Sequence, residues 1–394
     1  MIIKCPNCLA ALNFDENSQK VVCEYCETAF DVKDVIVKEE KMNKLDTQEL
    51  IDSGYDVDDA YMGLNVYTCT SCGGEIQVNG VEASTFCSFC GQPTVIFDRV
   101  QKNLKPKYIL PFIVSKEKAE KSVREQIAKS FFATKEIKAF QTECMRGIYI
   151  PFWLMDVHYD TSMVLKGSHK SGKNTVTSYY YRKAHTNFNK ITLDASQQLA
   201  DESSQRLEPY HLDDLKDFHI GYLTGFYADS LDLQAEQLDT LARSRARALA
   251  YKEIEKSVPE SNISVIREKT DVKVTKAQYA LLPVWFLSFH NREKPYTYLI
   301  NGQTGKIIGA VEHDNAKKIV SMIIAFLVLV VPSALLCMLF LEGEDAMKAL
   351  FLEIGGIVAL TLMGMGFSSS TRKNLELTQS KNMFNLVKKR QGKK

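Results

Sequence analysis

The sequence predicts an α+β chain of several domains: two small β zinc ribbons, a mostly antiparallel α+β domain, and a C-terminal two-helix transmembrane hairpin. Three observations carry that prediction. Eight of the ten cysteines fall into four CxxC pairs. The centre of the chain switches between strand and helix periodicities, and an uncharged apolar run of 23 residues lies near the end. With 394 residues, 45% of them apolar and 25% charged, the chain is globular in composition and long enough for two or three domains.

The cysteines come first in the chain and repeat. Cys5-x2-Cys8 is followed after fourteen residues by Cys23-x2-Cys26, and Cys69-x2-Cys72 after fourteen by Cys87-x2-Cys90, every position recurring at an offset of 64. Two residues between cysteines let one tight turn aim both sulfurs at a single ion, and two such turns complete a tetrahedron. The fourteen-residue spacers suit a short hairpin, and Asn79-Gly80 in the second copy is a favoured turn for one. Four thiolates leave no open coordination position, so two structural Zn2+ sites are expected rather than catalytic ones. The competing reading, a redox CxxC, needs a single pair in a βαβ context. The start MIIKCPNCLA has no signal-peptide pattern, so reduced thiols are expected.

The charge is uneven. The net of +1 hides 17 Asp/Glu against 7 Lys/Arg in residues 1–100, and 8 Lys/Arg against Glu376 alone from Ser368 onward. The stretch DTQELIDSGYDVDD at 46–59 is strongly acidic, and each four-thiolate zinc site adds a formal charge of about −2. Binding of nucleic acid by the ribbons requires clustered Lys/Arg, so this module predicts protein docking instead.

The motifs CPNC, CEYC, CTSC and CSFCG resemble the transcription-factor-IIB-type zinc ribbons that open a family of bacterial zinc-ribbon membrane proteins. ILPF at 109–112, GIYIPFWL at 147–154, GYLTGFYA at 221–228, LPVWFLSF at 282–289 and NGQTGKIIG at 301–309 extend the resemblance over nearly the full length. It implies a shared fold, no established enzymatic activity, and phage-shock-type or flotillin-like membrane-stress proteins as partners. One departure stands out. Glycine usually follows the second cysteine of such a knuckle, as Gly73 and Gly91 do, but the first copy has Leu9 and Glu27. Weaker metal binding by the first ribbon is therefore expected.

In the middle region, KYILPFIV reads as a strand and Ser115 as the cap of a helix reaching about Phe131. GIYIPFWLMDVHYDTSMVLKG and SYYYRKAHTNFNKITL read as two long strands around the polar turn SHKSGKNT. Residues 232–257 have helix periodicity, and LLPVWFLSFHN with PYTYLINGQTGKIIGAVE forms a final hairpin. The catalytic candidates here are weak. Gly167 to Lys173 imitates a phosphate loop, but Asn174 replaces its hydroxyl residue and no helix follows. His158, Tyr159 and Asp160, or His211, Asp213, Asp214 and His219, lack a recognised ligand spacing, and Cys144 has no histidine nearby in sequence. Cys337 reads as a packed apolar residue. Arg243, Arg245 and Arg247 split between two helix faces, as in a solvated or salt-bridged helix rather than a ligand clamp. A non-enzyme is expected.

Ile319–Leu341 is long enough to span a bilayer, and Ala349–Phe367, with Glu353 as its one charge, reads as a second span. The Lys/Arg excess outside the pair predicts a multi-pass cell-membrane protein with both termini cytoplasmic. The expected organisation is ribbon 1 at 1–36, an acidic linker at 37–65, ribbon 2 at 66–100, the α+β domain at 104–315, spans at 319–341 and 349–367, and a basic tail at 368–394. The expected role is a membrane-anchored adaptor or scaffold for protein partners. The alternatives are a membrane-tethered nucleic-acid-binding protein and an enzyme with an unrecognised site.

Overall fold

The computed structural model describes residues 4–34, 61–69, 75–78, 95–129, 145–172, 174–196, 199, 201–260, 262–291, 294–309 and 320. Strands dominate. β1 (Leu12–Asp15), β2 (Lys20–Cys23) and β3 (Ala29–Phe30) form a small antiparallel sheet in that order. The other strands form one 11-stranded sheet. They are β4 (Tyr61–Cys69), β5 (Glu75–Val78), β6 (Val95–Leu104), β7 (Tyr108–Ile109), β8 (Met145–Ser171), β9 (Asn174–Asp194), β10 (Lys216–Asp217), β11 (Tyr227–Asp229), β12 (Asn262–Asn291), β13 (Lys294–Asn301) and β14 (Ile307–Ile308). Along its main path the order is β10–β7–β12–β8–β11–β5–β4–β6, with β9 on β8, β13 on β12 and β14 on β13.

β8 and β12 are the spine, antiparallel from Met145↔Leu287 to Ser168↔Asn262. The root of β8 is apolar on both faces: Ile148, Tyr149, Ile150, Phe152, Trp153, Leu154 and Met155 are all buried. Beyond Val157 only alternate residues, Tyr159, Thr161, Met163 and Leu165, stay buried. There β8, β9 and β12 leave the body as a three-stranded blade covered on one face.

Among the described residues the α-helices are α1 (Lys116–Lys129), α2 (Asp201–Leu207) and α3 (Ala235–Lys256). Ser115 Oγ accepts the Lys118 amide at 3.4 Å, as its capping role required. In α3 Leu238, Ala242, Ala246, Ala250 and Ile254 recur every four residues and form the buried stripe that covers the blade's inner face. Four-residue spacing with three alanines lets the helix lie close to the sheet. The arginines of α3 are held as a salt-bridged helix requires: Arg243 on Asp239 at 2.6 Å, Arg245 on Glu208 at 3.3 Å, and Arg247 on Glu268.

Two expectations are corrected. The fold is mostly β, in place of an α+β domain strung to separate ribbons. β4 begins inside the expected acidic linker, and β4–β6 join the main sheet because β5 pairs antiparallel with Tyr227–Asp229. A hairpin with open ladder edges gains backbone hydrogen bonds by joining a larger sheet. The second correction concerns the membrane. No helix among the described residues is long and apolar enough to cross one. Spanning takes about 20 apolar residues; α1 has 14 residues, and α3, with 22, carries three arginines and several acids. The transmembrane hairpin, the multi-pass membrane placement and the cytoplasmic orientation derived from it are withdrawn. Apart from Val320, the segments 319–341 and 349–367 lie outside the described residues.

Candidate metal centre

Cys5, Cys8, Cys23 and Cys26 gather at one end of the small sheet, all four sulfurs within 4.8 Å of one another. Cys5 Sγ lies 3.5 Å from Cys26 Sγ, and Cys8 Sγ lies 3.4 Å from Cys23 Sγ. A regular tetrahedron of sulfurs with metal–sulfur bonds of about 2.3 Å has edges of about 3.8 Å. The cluster is thus close to the size that such an ion sets, and these four cysteines can hold a metal ion.

Two equivalent turns build it. The Cys5 carbonyl accepts the Leu9 amide at 2.9 Å while the Cys5 amide donates to the Ala10 carbonyl at 2.8 Å. Eighteen residues on, the Cys23 carbonyl accepts the Glu27 amide at 2.8 Å and the Cys23 amide donates to the Thr28 carbonyl at 3.0 Å. β1 and β2 place the turns side by side through the register Leu12↔Cys23 to Asp15↔Lys20. Each turn closes on a left-handed residue, Leu9 at φ 64 and Glu27 at φ 55. This is why glycine is usual at that position: a Cβ there costs about 1–2 kcal/mol of backbone strain. The departure seen in the sequence is therefore a strained version of the same turn. Glu27→Gly is expected to stabilise the ribbon, by about 1 kcal/mol or less once the looser unfolded chain is counted. Slower metal loss to a chelator would show it, and faster loss would refute the strain argument.

The thiols differ electrostatically. Hydrogen bonds from the Thr28 side chain and backbone pull Cys26 down to about 6. At Cys8 the Ala10 backbone bond lowers the value, but desolvation and the neighbouring thiols outweigh it and push it up to about 12. A cation would supply the charge that lets all four ionise.

The ribbon is seated on the body. Phe14 packs on Tyr222 and Phe226 at centroid separations of 5.3 and 6.4 Å. The Phe14 amide donates to Thr224 O at 3.1 Å, and Gln19 Nε2 donates to Phe112 O at 2.7 Å. Cys5, Cys23, Leu12, Phe14, Val21 and Val32 belong to the same apolar core as Phe112, Tyr149 and Trp285. Nothing in the cysteine spacing pointed to this seat. The apolar segments ILPF and GYLTGFYA were its only trace in the sequence.

Of the second cluster only Cys69 is described, buried at the end of β4; Cys72, Cys87 and Cys90 lie outside the described residues, as do Cys144 and Cys337. The remaining candidates do not converge. Gly167 sits within β8, and Gly172 (φ 62) makes the hairpin turn into β9, so the glycines cradle no phosphate at a helix start. His158 Nδ1 is 2.7 Å from Asn187 Oδ1, and His185 Nδ1 is 3.7 Å from Asp160. Gln303 Nε2 donates to Asp214 at 2.8 Å and its Oε1 accepts the His211 amide at 2.8 Å, while His219 Nδ1 accepts the Gly221 amide at 3.2 Å. Burial, with Lys105 and Lys33 nearby, pushes the His219 value down. The first two contacts are cross-strand pairs of β8 and β9, and the others hold the loops around residues 211–221 in place.

One buried group had no sequence signal. Asp229 ends β11, accepts from Ser196 Oγ and takes the Ser230 amide at 2.9 Å. Burial first, then the charge of Asp232, push its carboxyl well above the ordinary 3.8. The unfolded chain releases this proton as pH rises past about 4, while the folded chain keeps it, so stability is lost with rising pH up to the folded value. Asp229→Asn is therefore expected to gain stability over the wild type at pH 8 and to gain less at pH 5. Urea unfolding at both pH values tests this, and parallel profiles would refute it.

No family model matches the chain. No solved structure matches it either. It is similar to a Bacillus subtilis (strain 168) protein described as uncharacterized protein YdjG, 28% identical over 225 residues. That match covers 55% of this chain and 66% of the relative's length.

Proposed function

We propose that this chain is a non-enzymatic zinc-ribbon adaptor that presents the end of its first ribbon to protein partners. In this reading Cys5, Cys8, Cys23 and Cys26 hold one structural Zn2+, and Cys69, Cys72, Cys87 and Cys90 hold a second. The observation that carries it is the surface of the two cysteine turns. Tyr25, between Cys23 and Cys26, is 82% exposed, and Leu9, beside Cys8, is 66% exposed. An exposed aromatic and an exposed leucine on one rigid, metal-sized knuckle pair have the make-up of an interaction hot spot. The other end of the ribbon is already used against the body, so these tips are what it offers outward. Four thiolates close the coordination sphere, which supports a structural role for the metal.

Crosslinking mass spectrometry on the tagged chain, wild type against Tyr25→Ala, tests the reading. Crosslinks from residues 4–34 to other proteins should fall at least fivefold with the zinc content unchanged, since one aromatic anchor contributes about 1–2 kcal/mol or more. Phage-shock-type and flotillin-like proteins are the first partners to look for. An unchanged set of crosslinks would sink the adaptor role of this surface.

A further inference from the structure

The blade has a second face, which α3 does not cover. In the cross-strand register, β8 residues Ser162, Val164, Lys166, Ser168 and Lys170 lie opposite Lys183, Tyr181, Tyr179, Thr177 and Thr175 of β9. On the other side Ser162, Val164, Lys166 and Ser168 lie opposite Lys269, Arg267, Ser264 and Asn262 of β12. Directly opposed residues in an antiparallel ladder share a face. The outer half of this face thus holds five cations, Lys166, Lys170, Lys183, Arg267 and Lys269, and no acid. Among the described residues no carboxylate pairs with any of the five. Tyr179 and Tyr181 stand among them, 67% and 64% exposed. Acids enter only toward the root, and both are engaged: Asp271 with Lys273 at 2.7 Å and Asp160 with His185 at 3.7 Å.

We propose that this outer face of the β8–β9–β12 blade binds single-stranded nucleic acid, with Tyr179 and Tyr181 stacking two bases and the five cations holding the phosphates. Every base offers a π-face, so paired exposed aromatics in a basic groove or sheet accept a strand of any sequence. The tyrosines are two residues apart on one strand, about 6.6 Å along it, twice the ~3.4 Å rise of a stacked strand. The spacing therefore suits bases pulled apart. A duplex hides its π-faces and would leave both rings without a role. At the hairpin turn Ser171, Gly172 and Asn174 give a lipid surface no apolar anchor, while Ile266, 56% exposed at the β12 bulge, makes vesicles the competing arm of the test. The acidic ribbon module takes no part, and the proposal stands independently of the docking role given to Tyr25.

The test is fluorescence anisotropy of the zinc-loaded full chain with a labelled thymidine or uridine 15-mer, a duplex of the same length, and phosphatidylserine vesicles. Single strands should bind at about 50 mM salt and weaken steeply as salt rises. The basic tail from Ser368 onward gives any variant some unspecific attraction, so the tyrosines decide. Tyr179→Ala/Tyr181→Ala should weaken binding at least tenfold, while Tyr179→Phe/Tyr181→Phe keeps it, because stacking needs the ring and not the hydroxyl. Lys183→Glu/Lys269→Glu should weaken binding and flatten the salt dependence. Both tyrosines are exposed, so the variants should unfold in urea as the wild type does. No binding at low salt, equal binding by the double alanine variant, preference for the duplex, or binding to vesicles alone would each overturn the proposal.

Discussion

Cys23→Ser is expected to lower the zinc content by one equivalent per chain and to release residues 4–34 from the body. The strands of the ribbon have four, four and two residues, too few to hold a sheet in water by themselves. What remains is the metal and the aromatic seat. A structural zinc supplies about 10–16 kcal/mol of binding free energy in small peptides, which far exceeds what one aromatic side chain contributes by burial. Losing one of four thiolates should therefore loosen the whole ribbon. Metal analysis would read the first effect. Hydrogen exchange would read the second, as lost protection at residues 4–34 together with the 221–226 segment, which Val32 and Phe14 would have uncovered. Chelation of the wild type should give the same pattern. Retained protection in the absence of metal would mean that the seat alone folds the ribbon, and the structural role of the metal would fall.

Phe226→Ala is expected to destabilise the body by about 3–5 kcal/mol and to speed metal loss from the ribbon seated on it. Its ring is stacked on Phe112, with centroids 4.3 Å apart and planes within 9°. Tyr149 and Trp285 meet it edge-on at 5.7 and 5.9 Å. Gly147 of β8 is packed so closely that a Cβ there would lie 2.5 Å from the ring. Truncation thus opens a cavity walled by three large aromatics and the spine of the sheet, which cannot collapse into it. Phe14 sits on the same ring from the ribbon side, so the seat weakens with the core. Thermal unfolding and the rate of zinc transfer to a chelator would report the two effects. A melting temperature within a degree of the wild type would show that the cluster repacks, and the coupling between core and ribbon would be lost with it.

Local patterns with a short reach were legible in the sequence. CxxC pairs at fixed spacing foretold the first cluster because the turn that aims two sulfurs is set by four residues. The hairpin of β8 and β9, the cap at Ser115 and the helix α3 also follow from periodicity and turn chemistry within one segment. The place of β4, β5 and β6 in the main sheet was not legible. β5 pairs with β11 about 150 residues later, and nothing within either segment names the other. The aromatic seat was equally hidden, since Phe14, Phe112 and Phe226 are far apart in the chain and each reads alone as an ordinary buried residue.

Residues close in the chain were enough to foretell that Cys5, Cys8, Cys23 and Cys26 can share one metal ion, and to give the long central elements their strand or helix character. The tertiary structure decided everything that depends on non-local pairing. It joined the strands into one sheet, set the ribbon on an aromatic floor, exposed Tyr25 and Leu9, and arrayed five cations around two tyrosines on one side of a blade. Side chains two apart on a strand share a face by local geometry, but which face α3 would cover was settled only when the helix packed there.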